Sequence, residues 1–511
     1  MATITSPSPR SRWWILAVLA LSVLVIGLDG TVLNVALPTL SADLDAGTDE
    51  LQWILDSYIV VFAVALLPAG LLGDRYGRKR WLLTGLLLFG AASLTAAYAD
   101  GVGQLVAARA VMGLGAALIM PLTMSVLPVV FERSEQARAI ALWTVAVALG
   151  LPLGPVLGGY LLDHFHWGAI FLINVPIVLV AVIAAVVLLP ESRDPSAQRV
   201  DVIGALLSVA GLGAFVYGVI LAPADGWGTA LPWILGGLAV LVAFVAWLAR
   251  TAYPLLDLKL FADRNFVWGS LASTVSSFAM MGVLFVVPQY FAAALGYDAL
   301  GVGVRLLPMI AGLIAGARLG TRSAARFGAR VIVPAGLAVA ALGLALGAGT
   351  ATGDSYGWAA LWLTVLGAGL GLSMPTAMDA ILASLPEGKS GVGSGAVQAM
   401  RQVGGALGVA ALGSVLSAVY TDRLDTSELP GQVASAAQDS VLTAIRVPGL
   451  AADAVGAFIS GMSAVLAVSA ALVLAGAVLS AVFLPSRVAD AADSDAESAH
   501  AGHDVSPARS A

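Results

Sequence analysis

Gly70-Leu71-Leu72-Gly73-Asp74-Arg75-Tyr76-Gly77-Arg78-Lys79-Arg80 joins two long apolar runs, roughly 51–73 and 81–98. Four basic residues, Arg75, Arg78, Lys79 and Arg80, crowd the short turn. Lys and Arg collect in the loops on the cytoplasmic side of membrane spans. The turn is therefore expected in the cytoplasm, and it sets the orientation of every span on either side.

The whole chain fits that reading. Of its 511 residues, 59% are hydrophobic and only 11% charged, with a mean hydropathy of +0.94. A soluble chain carries about a quarter charged residues. Nearly every stretch between turns reaches the ~20 apolar residues that cross a bilayer. The expected fold class is an all-α polytopic membrane protein. The net charge of −6 resides in loops and tail and forms no basic domain, which argues against nucleic acid as a partner. Cys is absent, so disulfides and thiol chemistry are excluded. The four His, at 164, 166, 500 and 503, show no metal-ligand spacing, and no metal site is expected. No Gly-x-x-x-x-Gly-Lys-Ser/Thr loop occurs, so ATP is not the expected driver. Arg dominates over Lys, which occurs only at 79, 259 and 389, and Ala and Gly abound. That bias suggests a GC-rich bacterial genome and hence the bacterial cytoplasmic (inner) membrane.

Fourteen spans can be laid out, near 13–40, 51–74, 81–99, 104–130, 137–161, 168–190, 202–222, 231–250, 267–295, 301–322, 331–350, 356–385, 392–419 and 457–485. An even count puts both termini on one side, the cytoplasm. Basic residues recur in the proposed inner segments, for instance Arg133 and Arg138, Arg250 and Lys259, and Arg318 through Arg330. Acids recur in the outer ones, from Asp43 to Asp354; the basic exceptions, Arg423 and Arg446, lie in a long outer loop near 420–456. Pro38 and Gly77 in the first half match Pro288 and Gly328 in the second, with spacings that differ by one residue. Asp74 then corresponds to Ala325. The expected organisation is a disordered start (1–12), a six-helix half (13–190), an inserted helix pair with its flanking loops (191–266), a second six-helix half (267–485) and a disordered tail (486–511). Repeats of this kind place a substrate path at the interface of the halves. The inserted pair has no charge in its apolar cores and is expected outside that path, with Gly211, Gly213, Gly236 and Gly237 allowing close contact.

A few polar residues stand inside apolar spans. Asp29 lies near the middle of span 1, where a carboxylate costs about 2.5–3.5 kcal/mol on insertion scales and must face a wet cavity, be paired or be protonated. Such a group can take up and release a proton. Asp56 on span 2 shares a face with Trp53, three residues away. Arg109 in span 4 needs an anionic or carbonyl partner, and Asp29 or Asp56 is expected to supply it. On span 5, Gly150, Gly154 and Gly158 form one small face, and Pro155, followed by Gly159, weakens the helix. These are expected to make a bendable contact between the halves. In the second half, Asp379 and Arg401 are expected to pair, while Gln398 and Gln402 can hydrogen-bond a ligand. Asp74 and Arg78 are expected to dock against a helix N-terminus or an arginine such as Arg138.

Five stretches resemble the fourteen-span drug:H+ antiporters (EmrB/QacA type) of the major facilitator superfamily. The turn is similar to the superfamily loop G-x-L-x-D-R-x-G-R-K through Gly70, Leu72, Asp74, Arg75, Gly77, Arg78 and Lys79. Leu28 to Pro38 resembles the first-span motif L-D-x-T-V-x-N-V-A-L-P, whose Asp, here Asp29, the family implicates in proton coupling. Trp53 to Tyr58 resembles a W-x-x-x-x-Y stretch, and Arg109 to Ala117 an R-x-x-x-G-x-G-A-A element. Gly150 to Gly159 resembles G-x-x-x-G-P-x-x-G-G of the exporting branch. The resemblance implies a fourteen-helix fold arranged 6+2+6. It implies exchange of protons for a small amphipathic drug or secondary metabolite by alternating access, without a cofactor. Proton coupling would fall to Asp29, Asp56 and Arg109. Trp53, Tyr58, Asp379, Gln398, Arg401 and Gln402 would line the substrate cavity. Some cation-specialised relatives carry acids at the positions of Gln398 and Gln402, so a strong preference for dications is not implied. The expected protein is a monomer in the lipid bilayer and not an enzyme. A proton-coupled uptake symporter and a non-transporting membrane sensor are the alternatives; the span-5 motif argues against the first and the costly interior charges against the second.

Overall fold

The structure, a computed structural model, describes residues 9–44, 46, 48–193, 201–385, 390–427 and 429–485. The tail at 486–511 and Lys389 lie outside the described residues. Fourteen described helices are long and apolar enough to cross a membrane. Spans 1 to 6 are Ser11–Leu33, Trp53–Tyr76, Arg78–Ala97, Val102–Val130, Arg133–His164 and Ala169–Leu188. Spans 7 and 8 are Val202–Ala222 and Gly226–Leu248. Spans 9 to 14 are Arg264–Ala293, Leu300–Phe327, Ala329–Ala348, Tyr356–Ser384, Val392–Arg423 and Ala451–Phe483. Helix is the local solution because a hydrocarbon solvent offers backbone groups no partners, so each segment must bond within itself.

Two segments are more ordered than expected. The helix of span 1 begins at Pro9, so residues 9–12 form its first turn rather than part of a disordered start. Arg12 ties that turn down by donating to Glu132 (2.9 Å) and Glu135 (3.2 Å). In the loop expected near 420–456, the span-13 helix runs on to Arg423 and two short helices follow, Gly431–Asp439 and Val441–Ala444. The buried Tyr420 hydroxyl donates to Ala437 O at 2.9 Å and pins the first of them.

Span 1 packs on span 5, and spans 2 and 3 pack on span 4. In the second half, spans 10 and 11 pack on span 12, span 11 on span 14, and span 13 on span 9. The seam between these groups is built by span 2 against span 13, span 5 against spans 10 and 12, and span 4 against span 13. Spans 7 and 8 form a hairpin that turns at Gly226 (φ 81°) and leans on spans 2 and 13. Its two arms meet at Gly237, where an added Cβ would lie 2.5 Å from Phe215 N and 2.9 Å from Gly211 O. Gly213 faces Val64 of span 2, whereas Gly236 faces open space. The far side exposes Leu235, Leu238, Val242 and Val245, an apolar surface suited to lipid.

Candidate functional site

Asp29 and Arg109 meet in the interior of the first half. Arg109 Nη1 donates to Asp29 Oδ2 at 2.6 Å, and the residues are 0% and 2% exposed. Arg109 Nε donates to Ile54 O (3.2 Å), and its Cζ lies 4.2 Å from the centre of the Tyr58 ring. The guanidinium thus gains a carboxylate, a carbonyl and an aromatic face, the three kinds of partner a cation finds away from water. Asp29 Oδ1 accepts from Asn174 Nδ2 (3.2 Å), which also donates to Ser93 Oγ (3.1 Å). Ser93 in turn contacts Met112 Sδ at 3.8 Å. Spans 1, 2, 3, 4 and 6 therefore converge on one carboxylate. Asn174 was not singled out from the sequence: one uncharged amide in an apolar span is inexpensive and gives no periodic signal.

The other residues expected near this cluster separate. Arg109 pairs with Asp29 and not with Asp56, which is half-buried on span 2. Tyr58 belongs to the cluster, with its hydroxyl buried and without a hydrogen-bond partner among the described residues. Trp53, expected in a cavity, is 49% exposed and stacks on Tyr217 of span 7 with ring centres 5.7 Å apart. The indole follows the apolar surface of the added hairpin, which the residue pattern of span 2 alone could not reveal.

The basic turn is a buried latch. Gly77, with φ 117°, ends span 2 and opens span 3, a conformation that favours glycine. Asp74 Oδ1 accepts from Arg78 Nε (3.0 Å) and Nη2 (2.7 Å). Asp74 Oδ2 accepts from Val392 N (2.9 Å), in the first turn of the helix that forms span 13. A carboxylate there meets unpaired N–H groups and the positive end of the helix. Arg78 N donates to Ser192 O (2.8 Å), and Glu191 Oε1 accepts from Lys79 N (3.1 Å), so the segment after span 6 closes over the turn. Gly70 is buried one turn before Asp74, and Arg75 lies over Tyr76. Arg138 does not join the latch. Its Cζ lies 4.7 Å from the Trp13 ring of span 1, and Asp74 is already satisfied by Arg78 and the span-13 helix.

The glycine face of span 5 packs on span 1 rather than across the seam. A Cβ on Gly150 would lie 2.7 Å from Leu24 O and 2.8 Å from Gly27; one on Gly154, 2.8 Å from Leu28 O; one on Gly158, 2.9 Å from Val32 Cγ2. Gly27 lacks a side chain at the same level, so the two backbones fit each other there. Pro155 and Gly159 lie along the same continuous helix, Arg133–His164. Span 5 meets the second half through Ala148, with Val145 and Leu149 beside it. The stripe therefore seats the very segment of span 1 that holds Asp29.

In the second half, the expected pair of Asp379 and Arg401 does not form: no ion pair joins them, and Arg401 Nε is buried without a hydrogen-bond partner among the described residues. Asp379 and Gln402 are half-buried, and Gln398 is 3% exposed.

Residues 19–409 match the model of the Major Facilitator Superfamily. The chain belongs to that superfamily. Among major facilitator relatives, it is 35% identical to the multidrug efflux pump LfrA of Mycolicibacterium smegmatis, over 93% of this chain and 96% of that one. It is 32% identical to the tetracenomycin C resistance and export protein of Streptomyces glaucescens, over 92% and 91%. Solved structures share the fold at low identity. One is the proton:xylose symporter XylE, with a TM-score of 0.63, 14% identity, and coverage of 94% of this chain and 97% of that one. Another is the human organic anion transporter MFSD10, with a TM-score of 0.61, 15% identity, and coverage of 93% and 100%. The chain is thus a multi-pass membrane protein of a transporter superfamily.

Proposed function

We propose that the protein exports small amphipathic compounds, drugs or secondary metabolites, in exchange for protons by alternating access. The likeness to a sugar symporter is one of fold and does not set direction. Direction follows from similarity along nearly the whole chain to a multidrug efflux pump and an antibiotic exporter. The observation that carries the coupling is the buried Asp29–Arg109 pair. With Asn174 donating to its Oδ1, the Asp29 carboxylate can either hold the guanidinium as an ion pair or take up a proton. Protonation removes the charge that holds Arg109 and leaves it with Ile54 O and the Tyr58 ring. Proton occupancy thereby loosens span 1 relative to spans 2 and 4. The Asp74–Val392 contact closes the end that carries the basic turns, which we place in the cytoplasm together with both termini. The reading implies a 6+2+6 arrangement in the inner membrane, a monomer, no cofactor and no enzymatic activity.

Asp29→Asn keeps the shape and removes the titratable proton. In proteoliposomes with an imposed pH gradient, uphill transport should fall by at least about 100-fold, the range of removing a proton-transfer group, while insertion is unchanged. Gradient-driven accumulation by the Asn variant at the wild-type level would defeat the assignment.

A further inference from the structure

Two interior guanidinium groups differ in what surrounds them. Arg109 is satisfied on every side. Arg401 makes no ion pair or hydrogen bond among the described residues, and its Nε is shielded from solvent. Two further donors near it are also unanswered. Gln398 lies one turn earlier on span 13, 3% exposed, with Nε2 unpartnered. Ser270 on span 9 is 2% exposed, with Oγ unpartnered.

Helix packing brings these groups to one seam. A Cβ on Gly404 would lie 2.6 Å from Thr274 Cγ2, and one on Gly405 3.0 Å from Met281 Cγ and 3.6 Å from Ser277 Oγ. Arg401 precedes those glycines by three and four residues and so shares their face. It stands one turn nearer the basic end, at the level where span 9 carries Ser270 and Ser273. Span 9 contains no acid along its whole helix, and the acids of the span-13 and span-14 helices, Asp422 and Asp453, sit at their far ends. Span 12 also packs on span 9, where Gly269 faces Ala377 O and Ile381, and it carries Asp379, which forms no ion pair with Arg401. Spans 9, 13 and 14 thus present a cation and neutral donors at this level without a carboxylate of their own. An interior charge without a counter-ion is costly.

We propose that Arg401, Gln398 and Ser270 form a subsite for an anionic group, the carboxylate or ionised phenol of an amphipathic substrate. A guanidinium accepts such a group through two parallel hydrogen bonds, and the amide and hydroxyl complete its shell. The proposal rests on the efflux reading and adds the charge of the substrate.

The test uses two xanthene dyes of opposite charge, fluorescein and rhodamine 6G, bound at equilibrium to the purified full chain in phosphatidylcholine nanodiscs. Wild type should bind fluorescein more tightly. In R401Q the preference for fluorescein over rhodamine 6G should fall by at least about tenfold, as expected for lost charge-assisted hydrogen bonds. R401K keeps the charge and should keep a preference, reduced by roughly threefold because the fork is lost. A wild type that favours rhodamine 6G, or a preference unchanged in R401Q, overturns the subsite. Loss of fluorescein binding when phosphatidylglycerol is added assigns the anion to a lipid headgroup and overturns the substrate assignment. Transport of the same dyes is measured separately in proteoliposomes. A fluorescein preference in binding without gradient-driven transport of either dye would refute the efflux reading and leave the subsite standing.

Discussion

The chain contains the same turn twice. Gly77 (φ 117°) lies between spans 2 and 3, and Gly328 (φ 76°) between spans 10 and 11. Both allow one helix to end and the next to start within a few residues, and both are flanked by arginines. Their surroundings differ. At the first turn Asp74 and Arg78 are 4% and 3% exposed and pair with each other, and Asp74 holds the start of span 13. At the second, Ala325 replaces the acid, Arg326 and Arg330 are exposed, and Arg326 lies over its neighbour Phe327. An added Cβ would touch nothing at Gly328, but would lie 2.7 Å from Glu191 Oε1 at Gly77. The backbone device is thus repeated while the latch occurs in one copy. A symmetric fold need not close symmetrically, because closure depends on one carboxylate that reaches across the seam.

That contrast can be broken most forcefully at Asp74. Asp74→Ala leaves Arg78 buried without its anion and removes the cap on span 13, a loss on the scale of about 3–5 kcal/mol for a severed buried pair. Turnover should drop by more than about tenfold while equilibrium substrate affinity stays within roughly twofold, since 1.4 kcal/mol corresponds to a factor of ten. Asp74→Ala/Arg78→Ala should recover part of the stability, having no stranded charge. Strong loss of binding with normal cycling would mean that the turn touches substrate.

The glycines separate the shared device from the local one. Gly77→Ala and Gly328→Ala both force a side chain into a disfavoured backbone region, at about 1–3 kcal/mol each. The first must also displace Glu191, so its melting temperature in detergent should fall further. Equal shifts would show that the segment after span 6 does not brace the first turn.

The smallest effect is expected from the converse substitution. Ala325→Asp restores the missing acid at an exposed site, where stability changes stay within about 0.5 kcal/mol. Turnover should be unchanged within twofold, by the same scale. A large change would reveal a hidden contact at the second turn and weaken the contrast.

Several features were legible in the residues alone, and the reason is cost. Hydrocarbon admits backbone only as helix, so apolar run length located the fourteen spans. An interior charge must be answered, so Arg109 is expected to pair with Asp29 or Asp56, and the structure pairs it with Asp29 at 2.6 Å. A repeated glycine between basic residues marked both turns. Composition and periodicity could set these because each is a local property of a chain in lipid.

Tertiary structure decided which face meets which. The small face of span 5 was visible, but its partner is span 1, because Gly27 offers the matching hollow. Arg138 lies on Trp13, and Trp53 lies on Tyr217, because an aromatic surface is set by packing between distant spans. Asn174 reaches Asp29 only once span 6 lies beside span 1. Arg401 lacks the pairing expected with Asp379 because its helix packs on span 9, whose serines and glycine contacts provide no charge. Hydropathy specifies that a helix is buried in the membrane. The direction of each side chain around it depends on the shapes of neighbours far away in sequence.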